Sequence, residues 1–380
     1  MHKKRTFKLT VLLSLLSLGI ILTGCVGRGT IRAGWSGPYA AGESVYLGSS
    51  AGKLVALNSV NGFYQWQESL EAAPAGGGIG CTGASAPVIY STPVVHGDTV
   101  FVGDSGGKLY AFNINDRQSK SVTLNDRKSG SIVGNPLVAD GTVYVASTDG
   151  NLYAYDVASL NFKWQYNTGG EIWASPAIWH DSILIASFDK KLYSIDAKSG
   201  QPNWQQPFEA SGPIIAAPVV QGDTLIVASL DRHVYAVNAE SGELKWSFPS
   251  GDINEESPKQ WLWATPVIKN GEIFAPGMDG KIYILDTENG KLRGIVEIGE
   301  PIASTPVIAG DRLVVATEKG KIYSIDTSSY QKIELRNIDT EIVSPLGVSG
   351  ITVFVHTVKG NAVHALNGET GAPLWSTSLN

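Results

Sequence analysis

A proline recurs along this chain at an interval close to forty residues. It stands at Pro38, Pro93, Pro136, Pro176, Pro218, Pro266, Pro306 and Pro345, with successive gaps of 55, 43, 40, 42, 48, 40 and 39. The residues between the prolines repeat as well. After each proline comes an aliphatic step, then a tight turn such as Gly97-Asp98, Asp140-Gly141 or Asn270-Gly271, whose residues tolerate the positive φ of two-residue hairpins. A β-branched run follows, as in Thr99-Val-Phe-Val and Thr224-Leu-Ile-Val, then a second Gly-bearing turn. Next comes a run with an aromatic, as in Asn151-Leu-Tyr-Ala or Lys281-Ile-Tyr-Ile. Several units close on a tryptophan: Trp66, Trp164, Trp204, Trp246 and Trp375. Four strands per unit and a period near forty specify a β-propeller. The expected fold is therefore all-β, one eight-bladed β-propeller of four-stranded antiparallel blades over residues 34–380.

The sequence also orders the strands within a blade. Blades converge on an axis, so the innermost strand has the least room. The pair of residues before each proline is small in seven units, from Ser36-Gly37 to Ser304-Thr305, and bulkier only at Val343-Ser344. The proline-bearing segments are accordingly the innermost a strands and the Trp-bearing segments the outer d strands. Tyr and Trp rings then fill the space between blades, where they bury large apolar area. Ring closure stays open at this level. The first unit begins with its own a strand and the last ends with its own d strand, so any strand shared between the ends must come from Thr30–Ala33.

Residues 1–24 read as an address. Lys3, Lys4, Arg5 and Lys8 precede a 14-residue apolar run, Leu9 to Leu22, which is shorter than the roughly 20 residues that span a bilayer. This is the form of a secretory signal. It ends in Leu22-Thr23-Gly24-Cys25, similar to the bacterial lipobox, in which the Cys thiol is acylated and the peptide is cut before it. The expectation is lipidation at Cys25, a tether over 25–33 and attachment to a membrane surface, stable where two or more acyl chains are present. Residues 1–24 carry four of the 29 basic groups and none of the 35 acidic ones, so their removal takes the net charge from −6 to −10. An acidic chain without a basic stripe is a poor nucleic-acid ligand.

The joint between third and fourth strands carries a family resemblance. Ala56-Leu-Asn-Ser-Val-Asn-Gly-Phe-Tyr-Gln-Trp66, Ser194-Ile-Asp-Ala-Lys-Ser-Gly-Gln-Pro-Asn-Trp204, Ala236-Val-Asn-Ala-Glu-Ser-Gly-Glu-Leu-Lys-Trp246 and Ala365-Leu-Asn-Gly-Glu-Thr-Gly-Ala-Pro-Leu-Trp375 resemble the pyrroloquinoline-quinone (PQQ) repeat. The copy at Ala154–Trp164 lacks the Gly, and those at Ala111–Ser121, Ile284–Gly294 and Ser324–Glu334 lack the Trp. A lipobox followed by eight such repeats resembles the BamB family of outer-membrane β-barrel assembly lipoproteins. That resemblance implies a non-enzymatic scaffold of the cell envelope that binds protein partners of a barrel-assembly complex. It places the protein on the periplasmic face of an outer membrane, or on the outer leaflet of the cytoplasmic membrane in a host without one. Fold and function separate easily, so two alternatives stand beside it: a PQQ-dependent quinoprotein dehydrogenase, and an envelope sensor or ligand-binding propeller. The dehydrogenases resemble the repeat but are longer, and many set a vicinal disulfide against the cofactor. The two cysteines here, Cys25 and Cys81, are far apart, and no Ca²⁺ ligand set is assignable. No cofactor, catalytic residue or metal is therefore expected.

The remaining candidates divide between turn chemistry and recognition. Asp104, Asp149, Asp189, Asp231 and Asp279 recur by blade, as a structural device does and a catalytic site does not, so they are read as turn formers. His96, His180, His356 and His364 form no metal-ligand spacing. Cys81 lies in Gly76-Gly-Gly-Ile-Gly-Cys-Thr-Gly, read as a loop insertion, since phosphate cradling needs a following helix. Two insertions exceed the period, about Glu68–Ile89 and Pro249–Leu262, both between a d strand and the next a strand. The second carries Glu255, Glu256 and Trp261, with Trp263 just after it and Trp173 its counterpart two blades earlier. Loops on a regular scaffold carry function and Trp is favoured at hot spots. Trp261, Glu255, Glu256 and Trp263 are the expected partner-binding residues.

Overall fold

The structure, a computed structural model, describes residues 34–71, 86–124, 130–251 and 254–379. These form 32 strands in eight four-stranded antiparallel sheets, each built from four strands consecutive in the chain. The sheets are the eight blades of a propeller, as the forty-residue period requires. The b and c strands are buried on both faces, as in Thr142–Ala146 and Asn151–Asp156, whereas the outer d strand Phe162–Asn167 is largely exposed. The core lies between blades: one cluster joins Leu109 and Phe101 to Val143 and Tyr153, and the next joins Tyr144 and Leu152 to Ile183 and Tyr193. Two a–b hairpins close with paired positive φ, 45° and 68° at Asp140-Gly141 and 52° and 76° at Asn270-Gly271, and the other six with one positive φ at the first turn residue, as at Gly97, the two patterns of the primed turns.

The prolines need one correction. Seven of them immediately precede the three-residue a strand rather than lying within it, as Pro176 precedes Ala177–Trp179. Pro345 stands one residue earlier: the eighth a strand is Gly347–Ser349, and Leu346 holds the place of the proline. The two positions that precede the proline site in that blade are thus Ser344 and Pro345. The apparent bulk of Val343 is a register shift of one. The crowding inferred from small residues is real. A Cβ on Gly134 would lie 2.6 Å from the Ala174 carbonyl oxygen of the next blade, and one on Gly347 would lie 2.3 Å from that of Pro38.

Tryptophans of the d segments weld four of the blades to the next. The Trp164 indole N–H donates to the Ala197 carbonyl at 3.1 Å, Trp204 to Ala239 at 3.0 Å, Trp246 to Thr287 at 3.3 Å and Trp375 to Ser59 at 3.0 Å. Each ring lies against the Gly of the following blade's c–d turn, Gly200, Gly242, Gly290 or Gly62, where a Cβ would meet the indole at 2.4–2.7 Å. Trp204 does so outside any strand, because Pro202 and Pro207 leave the fourth d strand only Phe208–Glu209.

Closure follows from the same contact. Among the described residues no sheet mixes strands from the two ends of the propeller. Blade 8 meets blade 1 through side chains: Trp375 on Gly62, the Tyr64 hydroxyl donating to the Ser378 carbonyl at 2.8 Å, Thr377 to Gly62 at 2.7 Å, and the Ser50 N–H to Asn361 Oδ1 at 3.2 Å. Leu47, Val55, Leu57 and Val363 pack beneath them. Cys25, the tether to residue 33 and Thr30–Ala33 lie outside the described residues, as does Cys81.

Candidate functional site at the channel mouth

The d–a connections and the b–c turns share one face of the ring, because they bond to each other within a blade. The Phe188 N–H donates to the Glu171 carbonyl at 2.9 Å, Leu230 to Pro213 at 2.9 Å and Met278 to Trp261 at 3.0 Å. The third residue before the proline site of every blade borders the channel on this face: Trp35, Tyr90, Val133, Trp173, Ile215, Trp263, Ala303 and Val343. The aromatic members form two pairs. Trp35 and Tyr90, from blades 1 and 2, have ring centroids 4.3 Å apart. Trp173 and Trp263, from blades 4 and 6, meet edge to face at 6.3 Å. Phe188 packs behind Trp173 at 5.1 Å, and its indole N–H donates to Glu171 at 2.8 Å, so that ring is held on several sides. In an eightfold ring these pairs stand on nearly opposite sides of the mouth.

One step deeper lies a polar belt. The Thr92 N–H donates to Asn135 Oδ1 at 2.8 Å, Asn135 N–H to Ser175 Oγ at 2.8 Å, Ala217 N–H to Thr265 Oγ1 at 3.1 Å and Thr265 N–H to Thr305 Oγ1 at 3.4 Å. Gly37 N–H reaches Thr92 Oγ1 at 3.1 Å. Five of the eight inner segments thus satisfy a backbone donor on the neighbouring blade's side chain. The mouth and belt border a space of about 290 Å³, and among the described residues no charged side chain lines it.

The sequence-nominated residues divide between two places. Trp263 lines the channel mouth. Trp261 is half-buried and Glu255 and Glu256 are exposed on the second insertion, outside the channel. That insertion is fastened to blade 6: the Lys259 N–H donates to Asp279 Oδ2 at 2.8 Å, and its ammonium to the Asn254 carbonyl at 2.8 Å. Trp35 and Tyr90 were missed as rim partners of Trp173 and Trp263, although all four occupy one column of the repeat, three residues before the proline. The blade aspartates do serve their turns. Asp149, Asp189, Asp231 and Asp279 each accept a backbone N–H two residues on and the hydroxyl of a c-strand Tyr. Asp104 stands two residues earlier and reaches the equivalent Tyr110 at 3.0 Å. Burial first, and then the Asp231 charge, push the Tyr235 hydroxyl up to about 12, so these tyrosines stay neutral donors.

Blade count, repeat and connectivity define a PQQ-repeat propeller. The family model described as outer membrane protein assembly factor BamB matches residues 30–166, 84–208 and 167–377, and the chain belongs to that family. Among solved structures it is similar to BamB from Moraxella catarrhalis, with 18% identity and a TM-score of 0.70 over 87% of this chain and 92% of that one. It is similar also to the computationally designed protein Ika8, with 13% identity and a TM-score of 0.70 over 88% of this chain and 97% of that one. At these identities the likeness is one of fold. No curated protein sequence matches the chain.

Proposed function

We propose that this protein is a non-enzymatic, lipid-anchored scaffold of the cell envelope that holds protein partners during outer-membrane β-barrel assembly. The observation that carries the reading is family membership over nearly the whole propeller. The channel chemistry supports it against the quinoprotein alternative. PQQ is a polycarboxylate, which a site must neutralise with cations, and the channel lining offers none. Among the described residues, no three His, Cys, Asp or Glu side chains converge to hold a Ca²⁺ ion. The residues present do not fit PQQ. Titration with PQQ and Ca²⁺ is expected to give no stoichiometric binding at micromolar concentrations.

The partner site we favour is the second insertion, where an aromatic anchor, Trp261, stands beside exposed Glu255 and Glu256, matching the anchor-and-rim anatomy of protein interfaces. Cys25 supplies the anchor. Affinity purification from detergent-solubilised envelopes tests the reading: an outer-membrane β-barrel assembly protein should co-purify. The variant Trp261→Ala with Glu255→Gln and Glu256→Gln should lower that recovery, a hot-spot loss being about 2 kcal/mol or more, at unchanged thermal stability. A protein that captures no such partner, or whose loss of capture tracks unfolding, contradicts the scaffold reading or this site respectively. Cys25→Ala should leave the protein soluble or unprocessed, as seen by membrane fractionation.

A further inference from the structure

We propose that the channel mouth binds a neutral saccharide ring, clasped between the Trp35–Tyr90 and Trp173–Trp263 pairs over the polar belt. Three features of the mouth select the ligand class. Aromatic rings line it on two sides of one opening, and aromatic surface suits a ring with apolar faces of its own. Its lining carries no charge among the described residues, so an ionic ligand would shed hydration without compensation. Its floor offers donor groups on side chains whose oxygens each already accept one backbone N–H. Thr265, Thr305 and Ser175 use their oxygens to receive backbone N–H groups, as Asn135 uses Oδ1. Among the described residues their O–H groups and the Asn135 amide nitrogen donate to no protein acceptor. A purely aromatic ligand would leave those donors unmet. A pyranose brings both the apolar C–H faces and the oxygen acceptors. The space of about 290 Å³ is at the small end of ligand pockets, which begin near about 300 Å³, and so suits one or two sugar rings. The site is independent of the insertion bearing Trp261, and its test does not depend on partner capture.

The test uses the purified lipid-free protein with N,N′-diacetylchitobiose and maltose as neutral probes, glucuronate as an anionic probe and indole as a ring without oxygen acceptors. Saturation-transfer NMR and calorimetry should show saturable binding of at least one neutral disaccharide at about 1 mM, equivalent to about 4 kcal/mol, and weaker binding of glucuronate and indole. Trp173→Ala should weaken it about tenfold. Thr305→Val, nearly isosteric, removes a floor hydroxyl from a residue that carries none of the rings; it should weaken binding severalfold with unchanged circular dichroism, which guards against a misfolded Trp variant. The proposal is overturned if neither neutral disaccharide binds, if glucuronate or indole binds as tightly, or if both variants bind like the parent.

Discussion

Gly200 and Gly97 both hold left-handed backbone, with φ of 72° and 56°, yet only Gly200 faces an obstacle. A Cβ there would lie 2.7 Å from the Trp164 ring, whereas Gly97 has nothing within 4 Å. Gly97→Ala should therefore cost only the backbone term, about 1–2 kcal/mol. Gly200→Ala should cost that and an overpacking term of about 1–3 kcal/mol more. Urea unfolding of the two variants measures the difference, and equal losses would mean that Trp164 is not tightly seated. A second residue-scale expectation concerns His356, fully buried where blade 8 meets blade 1. Its Nδ1 lies 2.8 Å from the Ser36 carbonyl oxygen, so it is the donor there, and Nε2 has no hydrogen-bond partner among the described residues. Burial holds its pKa below the ordinary histidine value of 6.5. Above that value neither state takes the proton. As the pH falls below it the unfolded chain binds a proton the folded chain refuses, so stability is lost on acidification. His356→Gln should flatten that part of the stability profile between about pH 7 and 5, and an unchanged profile would place the acid sensitivity elsewhere. The glycine of the repeat was legible as a motif, but its obstacle belongs to a different blade. The burial of His356 likewise depends on closure of the ring, which the local strand pattern leaves open.

At the scale of the blade, the irregular repeats are paired rather than decayed. Where blade 2 lacks the Trp, Lys120 stands opposite Ala111 in its place, and its ammonium donates to the Ala158 carbonyl at 2.7 Å, close to the carbonyl an indole would reach. The turn it faces carries Leu160 instead of Gly, at φ 56°. Arg117, at φ 64°, replaces the Gly opposite Trp66 and sets its guanidinium 4.7 Å from that ring. Gly294 replaces the Trp of blade 6, and Tyr330 of blade 7, at φ 58°, fills the space, with its ring 3.1 Å from where a Gly294 Cβ would be. Gly294→Trp alone should destabilise by about 1–3 kcal/mol, and Tyr330→Gly alone should leave a void. Combined, they recreate the Trp246–Gly290 arrangement, so a double-mutant cycle should return a favourable coupling of at least about 1 kcal/mol. Additive losses would show the two positions to be independent. The sequence shows the missing Trp and the missing Gly as separate defects. Only the order of blades around the ring reveals which residue of the neighbouring blade each defect faces. The proline register of blade 8 was misaligned for a related reason: a one-residue offset preserves the local pattern, and only strand pairing exposes it.

Seven of the eight blade junctions are crossed by the chain, and among the described residues the junction of blade 8 with blade 1 is held by packing and by hydrogen bonds that each involve a side chain. The eightfold count and the strand order were legible because the period is strict. The closure was not, since a propeller closed by a shared blade and one closed by packing differ only in where the terminal residues pair. This difference has a consequence for cooperativity. Trp164 and Trp375 make equivalent contacts, to Ala197 with Gly200 and to Ser59 with Gly62, so truncating either to Ala removes a similar ring, at about 3–5 kcal/mol. In Trp164→Ala the chain still links blades 3 and 4, and the loss should spread over the whole ring as a lowered global stability. In Trp375→Ala the weakened junction has no covalent link, so blades 1 and 8 can separate without the rest unfolding. Native-state hydrogen exchange distinguishes the two cases, because local opening reports free energies below the global value. The b and c strands of the end blades, Ser44–Asn58 and Thr352–Asn367, should exchange faster in Trp375→Ala than the corresponding strands of blades 4 and 5. Trp164→Ala should raise exchange evenly. Even exchange in both variants would mean that the ring unfolds as one unit wherever it is weakened, and that the seam is as strong as a junction the chain crosses.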